Sequence, residues 1–274
     1  MSLIITATDF SKVANNAVHY ACELAKINKS DIIVFHSYYL PIYFNDLTIP
    51  PMPYNIVEDM AKENMNKLIT KLTNEYPELK IKVEILYGDI IESLNELLQK
   101  ENTPWIIVLG NHNAEENIDW LDSTLIQAFR NLKNPVLAIP SEAKYKKVNK
   151  LCFAFDNKHE GNDTAFAQIN EIAKKLNAEL HIVFSETDVL NRDNQPDFDP
   201  KIKLILEQSN PHFHIFYDGN IEDTLLDFLK NKEIDWVVIM PRKHSFLESL
   251  FHKSHTKSLS KIIHIPILAV HEDI

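Results

Sequence analysis

An α/β protein built from two doubly wound parallel sheets is what this sequence predicts, and three observations predict it. Short apolar, β-branched runs alternate with segments whose apolar residues recur at helical spacing, the pattern of parallel strands joined by crossover helices. The chain also repeats itself: Trp105-Ile106-Ile107-Val108-Leu109 returns as Trp236-Val237-Val238-Ile239-Met240, displaced by 131 residues. The same displacement links Gly88 to Gly219, Ser123 to Ser254 and Pro135 to Pro266. Two copies of one supersecondary unit explain these landmarks.

Each element follows in order. Leu3 to Ala7 reads as a buried strand, since continuous apolar runs suit parallel sheets covered on both faces. Ser11 is placed as the N-cap of a helix whose inward face carries Ala14, Ala17, Val18, Ala21, Cys22, Leu24 and Ala25. Strands follow at Ile32–Phe35 and Ile81–Leu86, with a helix at Ala61–Leu72 between them. Gly88-Asp89 turns the chain into a helix with Ile90, Leu94, Leu97 and Leu98 inward. Trp105–Leu109, a helix at Leu121–Leu132 and Val136–Ile139 complete the copy. In the second copy the strands lie near Leu151–Phe155, Leu180–Phe184, His212–Tyr217, Val237–Met240 and Ile267–Val270, and the helices near Asp163–Leu176, Ile221–Leu229 and Leu250–Ile263. The polar stretch from Pro140 to Asn149 separates the copies, so the domains are expected at residues 1–144 and 145–274.

Composition narrows the function classes. The formal charge is -11, with 19 acidic and 12 basic side chains up to Lys144 and 20 against 16 after it. Both halves repel phosphate backbones, so a nucleic-acid partner is not expected. Lys144, Lys146, Lys147 and Lys150 form the densest basic group, and they read as a solvated hinge. No apolar run approaches the roughly 20 residues of a membrane span. Met1-Ser2-Leu3-Ile4-Ile5 lacks the basic start of a secretory leader. Cys22 and Cys152 fall on apolar segments and read as buried free thiols, which suits the cytoplasm.

In open parallel sheets, ligands sit beyond the carboxyl ends of the strands, where strand order reverses. The segments to examine are Thr8-Asp9-Phe10-Ser11, His36-Ser37 and the stretch after Leu109. That stretch runs Gly110-Asn111-His112-Asn113, then Leu121-Asp122-Ser123-Thr124, then Asn134-Pro135-Val136-Leu137. With Thr-Asp-Phe-Ser at the first strand end and Tyr-Gly-Asp after the third strand, it resembles the universal stress protein family. The resemblance covers both copies and is carried by the order and spacing of the motifs.

The resemblance implies five-stranded sheets of order 3-2-1-4-5, the adenine nucleotide alpha hydrolase-like arrangement, packed as a pseudo-dimer through the fifth strands. ATP-binding members carry Gly-x-x-Gly, nine residues, then Gly-Ser or Gly-Thr. Gly110 matches the first glycine and Asn113 stands at the second. Counting from Pro135 puts Asp122-Ser123 at the last pair, whereas counting from Gly110 puts Ser123-Thr124 there. Asn113 tolerates a left-handed backbone. A carboxylate at Asp122 opposes a polyphosphate at a cost on the order of kcal/mol. Asp9, Ser37, Gly110, Asn113, Ser123 and Thr124 are therefore the candidate nucleotide-binding residues of the first copy. ATP, adenosine or another small molecule are the candidate ligands. In the second copy Asp156, Pro241 and Ser254 hold the equivalent places, and a proline in place of Gly110 points to a degenerate site. The whole chain has only four glycines.

Two functions stay open. One is a non-catalytic stress-response module. The other is an ATP-binding protein that hydrolyses slowly or passes on a phosphate, with Asp9 orienting the nucleotide. Glycine poverty favours the first. A homodimer and an unidentified regulatory protein are the candidate partners. The aromatic, proline-rich insert 38–55, part of about 18 residues extra in the first copy, reads either as a flap on its own domain or as a contact surface. Among the 12 histidines, His212-x-His214 on a strand shares one face, and His252 and His255 suit one helix face, but neither pair has further ligands at zinc spacing. No metal is expected, and no Gly-x-Ser-x-Gly elbow exists for Ser-His-Asp chemistry.

Overall fold

The computed structural model describes residues 2–39, 54–101, 103–111, 123–154, 163–185, 200–207, 209–216, 221–241 and 264–271. The first half carries β1 (Leu3–Ala7), α1 (Lys12–Asn28), β2 (Asp31–Tyr38), α2 (Tyr54–Glu75), β3 (Ile81–Tyr87), α3 (Ile90–Lys100), β4 (Ile106–Asn111), α4 (Ser123–Asn131) and β5 (Val136–Pro140). The second half carries β6 (Lys150–Ala154), α5 (Asp163–Leu176), β7 (Glu179–Ser185), α6 (Pro200–Glu207), β8 (His212–Phe216), α7 (Ile221–Asn231), β9 (Trp236–Ile239) and β10 (Ile267–Ala269). The helix expected at 250–263 and most of the insert 38–55 lie outside the described residues.

All ten strands form one sheet, in the order β3-β2-β1-β4-β5-β10-β9-β6-β7-β8. Each half thus has the order 3-2-1-4-5, with parallel neighbours throughout. The halves meet antiparallel, Val136 opposite Ala269, Leu137 opposite Leu268 and Ala138 opposite Ile267. The fifth strands therefore pair, as the resemblance implies. This antiparallel seam puts the carboxyl ends of β1–β5 and of β6–β10 on opposite edges of the sheet.

The core runs across the seam on both faces. One face joins Ile4, Val34, Ile106 and Leu137 with α1 and α2, and continues through Leu151, Phe153 and Trp236 to α5. The other joins Ile5, Phe35, Ile107 and Val136 to Cys152, Val237 and α7. Buried Tyr20 of α1 accepts a 2.7 Å hydrogen bond from Trp236 Nε1 across the halves, and its ring meets Tyr145 edge-on at 5.1 Å. His271 Nε2 lies 2.7 Å from Phe129 O. A carbonyl only accepts, so Nε2 carries the proton and caps one of the last free carbonyls of α4. The connecting segment is anchored as well: Ala143 and Val148 are buried, and Asn16 Nδ2 donates to Pro140 O and Ala143 O. Its lysines are solvated, but its backbone is not a free hinge. Both thiols are buried and unpaired.

Backbone hydrogen bonds correct the displacement at the fourth strand. Trp105 N donates to Leu3 O at 3.0 Å and Asp235 N to Lys150 O at 3.0 Å. Ile107 N donates to Pro135 O at 2.8 Å and Val237 N to Pro266 O at 3.0 Å. Trp236 therefore fills the position of Ile106, at a displacement of 130, not that of Trp105. Ile106 and Trp236 are fully buried on the same face. Trp105 is part-buried beneath the Lys175 ammonium, 5.2 Å from its ring. The two tryptophans match in sequence by coincidence: Trp105 lies just before β4 and packs only partly buried at the margin of the same core.

Candidate functional site

The end of β1 is built by three local devices. Thr8 N donates to Phe35 O at 2.9 Å, which ties it to β2. Thr8 Oγ1 accepts from Phe10 N at 2.9 Å, and Ser11 N donates to Asp9 Oδ1 at 2.9 Å, a pair of side-chain turns. Phe10 adopts a left-handed backbone with φ of 67°, at a cost of about 1–2 kcal/mol for an L-residue. Asn15 offsets that by donating from Nδ2 to Phe10 O at 3.0 Å. Ser11 then caps α1, accepting from Ala14 N as expected. The result presents Asp9 exposed at the strand end.

Residues 36 and 37 of β2 point to opposite faces. His36 packs on Phe10 with ring centres 4.4 Å apart. Its Nδ1 donates to Thr8 O at 2.7 Å. Burial holds the His36 imidazole below its usual pKa, opposed by that hydrogen bond. The neutral ring therefore braces the β1 turn. Ser37 lies half-buried opposite Leu86 of β3.

Gly110 lies inside β4, opposite Ile139, rather than in a loop. A Cβ there would stand 3.1 Å from the carbonyl carbon and oxygen of Val13 and 3.2 Å from the Cα of Ala14. The glycine lets the α1 backbone rest on β4. This is a packing demand, distinct from the phosphate-cradling role the sequence suggested. Ser123 and Thr124 open α4, exposed and half-exposed, with no acid in its first turn. Helix starts present free N–H groups that favour anions. Asp9, Ser37 and Gly110 thus stand at the carboxyl ends of adjacent strands β1, β2 and β4. Asn113 and Asp122, and in the second half Asp156 and Ser254, lie outside the described residues.

The corrected register changes the second-half counterpart. Met240, 5% exposed and packed in the core, stands where Gly110 stands, and Pro241 takes the place of Asn111. The assignment of Pro241 to the Gly110 position is thereby corrected by one residue. The contrast is greater than expected, because a buried methionine stands where the first half has a glycine.

His212 and His214 do share one face of β8, and His181 of β7 joins them. Their rings stack at 5.1 and 5.3 Å from His181, and His181 Nδ1 meets His214 Nε2 at 3.0 Å. The sequence pattern held no signal for His181, which only strand pairing brings there. Burial, with the neighbouring His181 and Lys232 charges, pushes His214 down to about 4. Among the described residues, no group of three or more His, Cys, Asp or Glu is placed to hold a metal ion. No helix among them is long and apolar enough to cross a membrane.

A doubly wound sheet whose carboxyl edge carries Thr-Asp-Phe-Ser after β1, and a glycine in β4 against α1, defines a class of α/β proteins. The profile of the Universal stress protein family matches residues 1–140, and the chain belongs to that family. Among solved structures, a universal stress protein from Archaeoglobus fulgidus DSM 4304 is similar over 98% of this chain and 96% of its own, at 15% identity and a TM-score of 0.66. A protein of unknown function from Pseudomonas aeruginosa PAO1 matches over 100% and 93%, at 13% identity and a TM-score of 0.60. A putative universal stress protein from Pseudomonas aeruginosa UCBPP-PA14 matches over 99% and 93%, at 14% identity and a TM-score of 0.58. At these identities the likeness is one of fold. No curated protein matches the chain.

Proposed function

We propose that the chain is a non-catalytic regulatory member of its family, a pseudo-dimer of domains 1–144 and 145–274 that senses a small adenine-type ligand at the first-half crevice. The observation that carries this reading is the divergence at the fourth strand, Gly110-Asn111 in one half and Met240-Pro241 in the other. Proline offers no amide to a phosphate, and a buried methionine replaces the glycine beside it. The first half keeps Asp9 and Ser37 for the base and sugar end. An unidentified regulatory protein would receive the signal, with or without homodimerisation.

A second reading is favoured by the start of α4. Ser123 and Thr124 sit in a first turn that holds no acid, and its N–H groups favour a phosphate against the opposing charge of Asp122, the residue before it in sequence. In that reading the first half binds ATP and turns it over slowly, or passes on a phosphate.

Thermal melting with adenosine and with ATP–magnesium separates the two, because a ligand that binds only the folded state raises Tm. The regulatory reading expects ATP to add nothing beyond adenosine. An ATP shift well above the adenosine shift, and lost in Asp9→Asn, would replace it with the second reading. Asn keeps the oxygen that accepts from Ser11 N, so this variant removes charge while the turn stands.

A further inference from the structure

The second half holds a cavity of 710 Å3 at the amino ends of β6 and β9, walled by the connecting segment, α7 and the turn before β9. It lies apart from the carboxyl-end crevice of either half. Lys146, Lys147, Lys150 and Lys230 line it, against Glu233 and Asp235. Its floor is apolar: Leu226, Leu229 and Ile234 present buried side chains there.

The two acids do not cancel the four cations. Asp235, 6% exposed, accepts from Asn149 N at 2.7 Å and Lys150 N at 3.0 Å, and its other oxygen lies 2.7 Å from Lys146 Nζ. This carboxylate is thus already compensated, and its place shows that the amino end of β6 favours negative charge. Lys150 Nζ is committed to Lys232 O at 2.9 Å. Lys147 and Lys230 have no ion pair among the described residues. In a chain of net charge -11, this is a local surplus of positive charge over an apolar floor. The first half has no copy of it, since Trp105 stands where Asp235 stands.

We propose that this cavity binds a small amphipathic organic anion, its carboxylate, sulfonate or phosphate held by Lys147 and Lys230 and its aromatic or aliphatic body on Leu226, Leu229 and Ile234. Charged head and apolar floor together set the class: neither an inorganic ion nor a neutral hydrocarbon satisfies both walls.

Fluorescence titration of the full-length protein tests this with two probes of the same shape. One is anilinonaphthalene sulfonate and the other is its uncharged parent, N-phenyl-1-naphthylamine. The sulfonate is expected to saturate at one per chain. The double variant K147Q/K230Q is expected to weaken it about fivefold, with the uncharged probe unchanged. Both lysines are exposed, so the melting temperature should hold. The control K67Q/K71Q, with the same charge change on α2, should leave sulfonate binding as it was. Absence of saturable sulfonate binding, equal loss for both probes, no loss in K147Q/K230Q, or an equal loss in the control would each overturn the proposal.

Discussion

Gly110 shows how a residue can be legible as special while its reason is not. The sequence marks it as one of four glycines and as the start of a family motif. The structure gives a packing cause, the α1 backbone 3.1–3.2 Å from where a Cβ would be. That cause is a tertiary contact between segments almost a hundred residues apart, and no local pattern encodes it. Gly110→Ala should therefore destabilise by about 1 kcal/mol and Gly110→Val by about 1–3 kcal/mol in urea titrations, with or without nucleotide. An unchanged midpoint would mean that α1 does not rest on this strand. The Ser11 cap was readable because cap chemistry is local. The brace of His36 and Phe10 was not, because it needs β1 and β2 side by side.

The stacked histidines of β7 and β8 supply a pH dependence at the same scale. Burial lowers His181 first, and the nearby His212 lowers it further, with Glu179 opposing and Lys232 and Lys150 adding. His214 falls to about 4 from the usual 6.5. In the unfolded chain these rings take protons near 6.5, so below that pH the unfolded state binds more protons than the folded one. Stability is thus full above about 6.5 and is lost as the pH falls towards 4. Urea titrations from pH 7 to 4.5 should show this decline, and His214→Gln should flatten it. A slope identical in the variant would show that His214 is not its source.

At the scale of elements, strands with continuous apolar runs and helices with a clear inward face were the legible ones. Helix α5 lies at Asp163–Leu176 as read, and α1 begins at its Ser11 cap. Helix α6 spans eight residues, two turns of pattern, and gave no periodic signal. The register of β9 was misread because an aromatic landmark outweighed facing, which hydrogen bonds decide. Trp236 is consequently an interface residue: its Nε1 donates to Tyr20 OH at 2.7 Å between the halves. Tyr20→Phe leaves a buried donor unpaired and should cost about 1–3 kcal/mol. Because the two residues share one contact, Tyr20→Phe with Trp236→Phe should cost less than the sum of the single changes. Strict additivity in the double-mutant cycle would show that the bond carries no coupling.

For the whole molecule, the duplication was visible as landmarks at a near-constant displacement, and the strand order follows from it. Packing of the copies through their fifth strands was implied by resemblance; that three residue pairs of β5 and β10 join the two expected sheets into one is what the structure adds. What makes the halves one body is the core that crosses this seam on both faces. Circular dichroism and tryptophan fluorescence should accordingly report a single coincident unfolding transition. Two separated transitions would mean that the halves hold together more weakly than their shared core implies.

At the strand ends Gly110 is engaged by α1, and Met240-Pro241 stand in the matching place of the second half. Phosphate release from ATP–magnesium by the full-length protein tests the non-catalytic reading most directly. The account expects release no faster than from ATP in buffer alone, and sustained turnover that Asp9→Asn abolishes would contradict it.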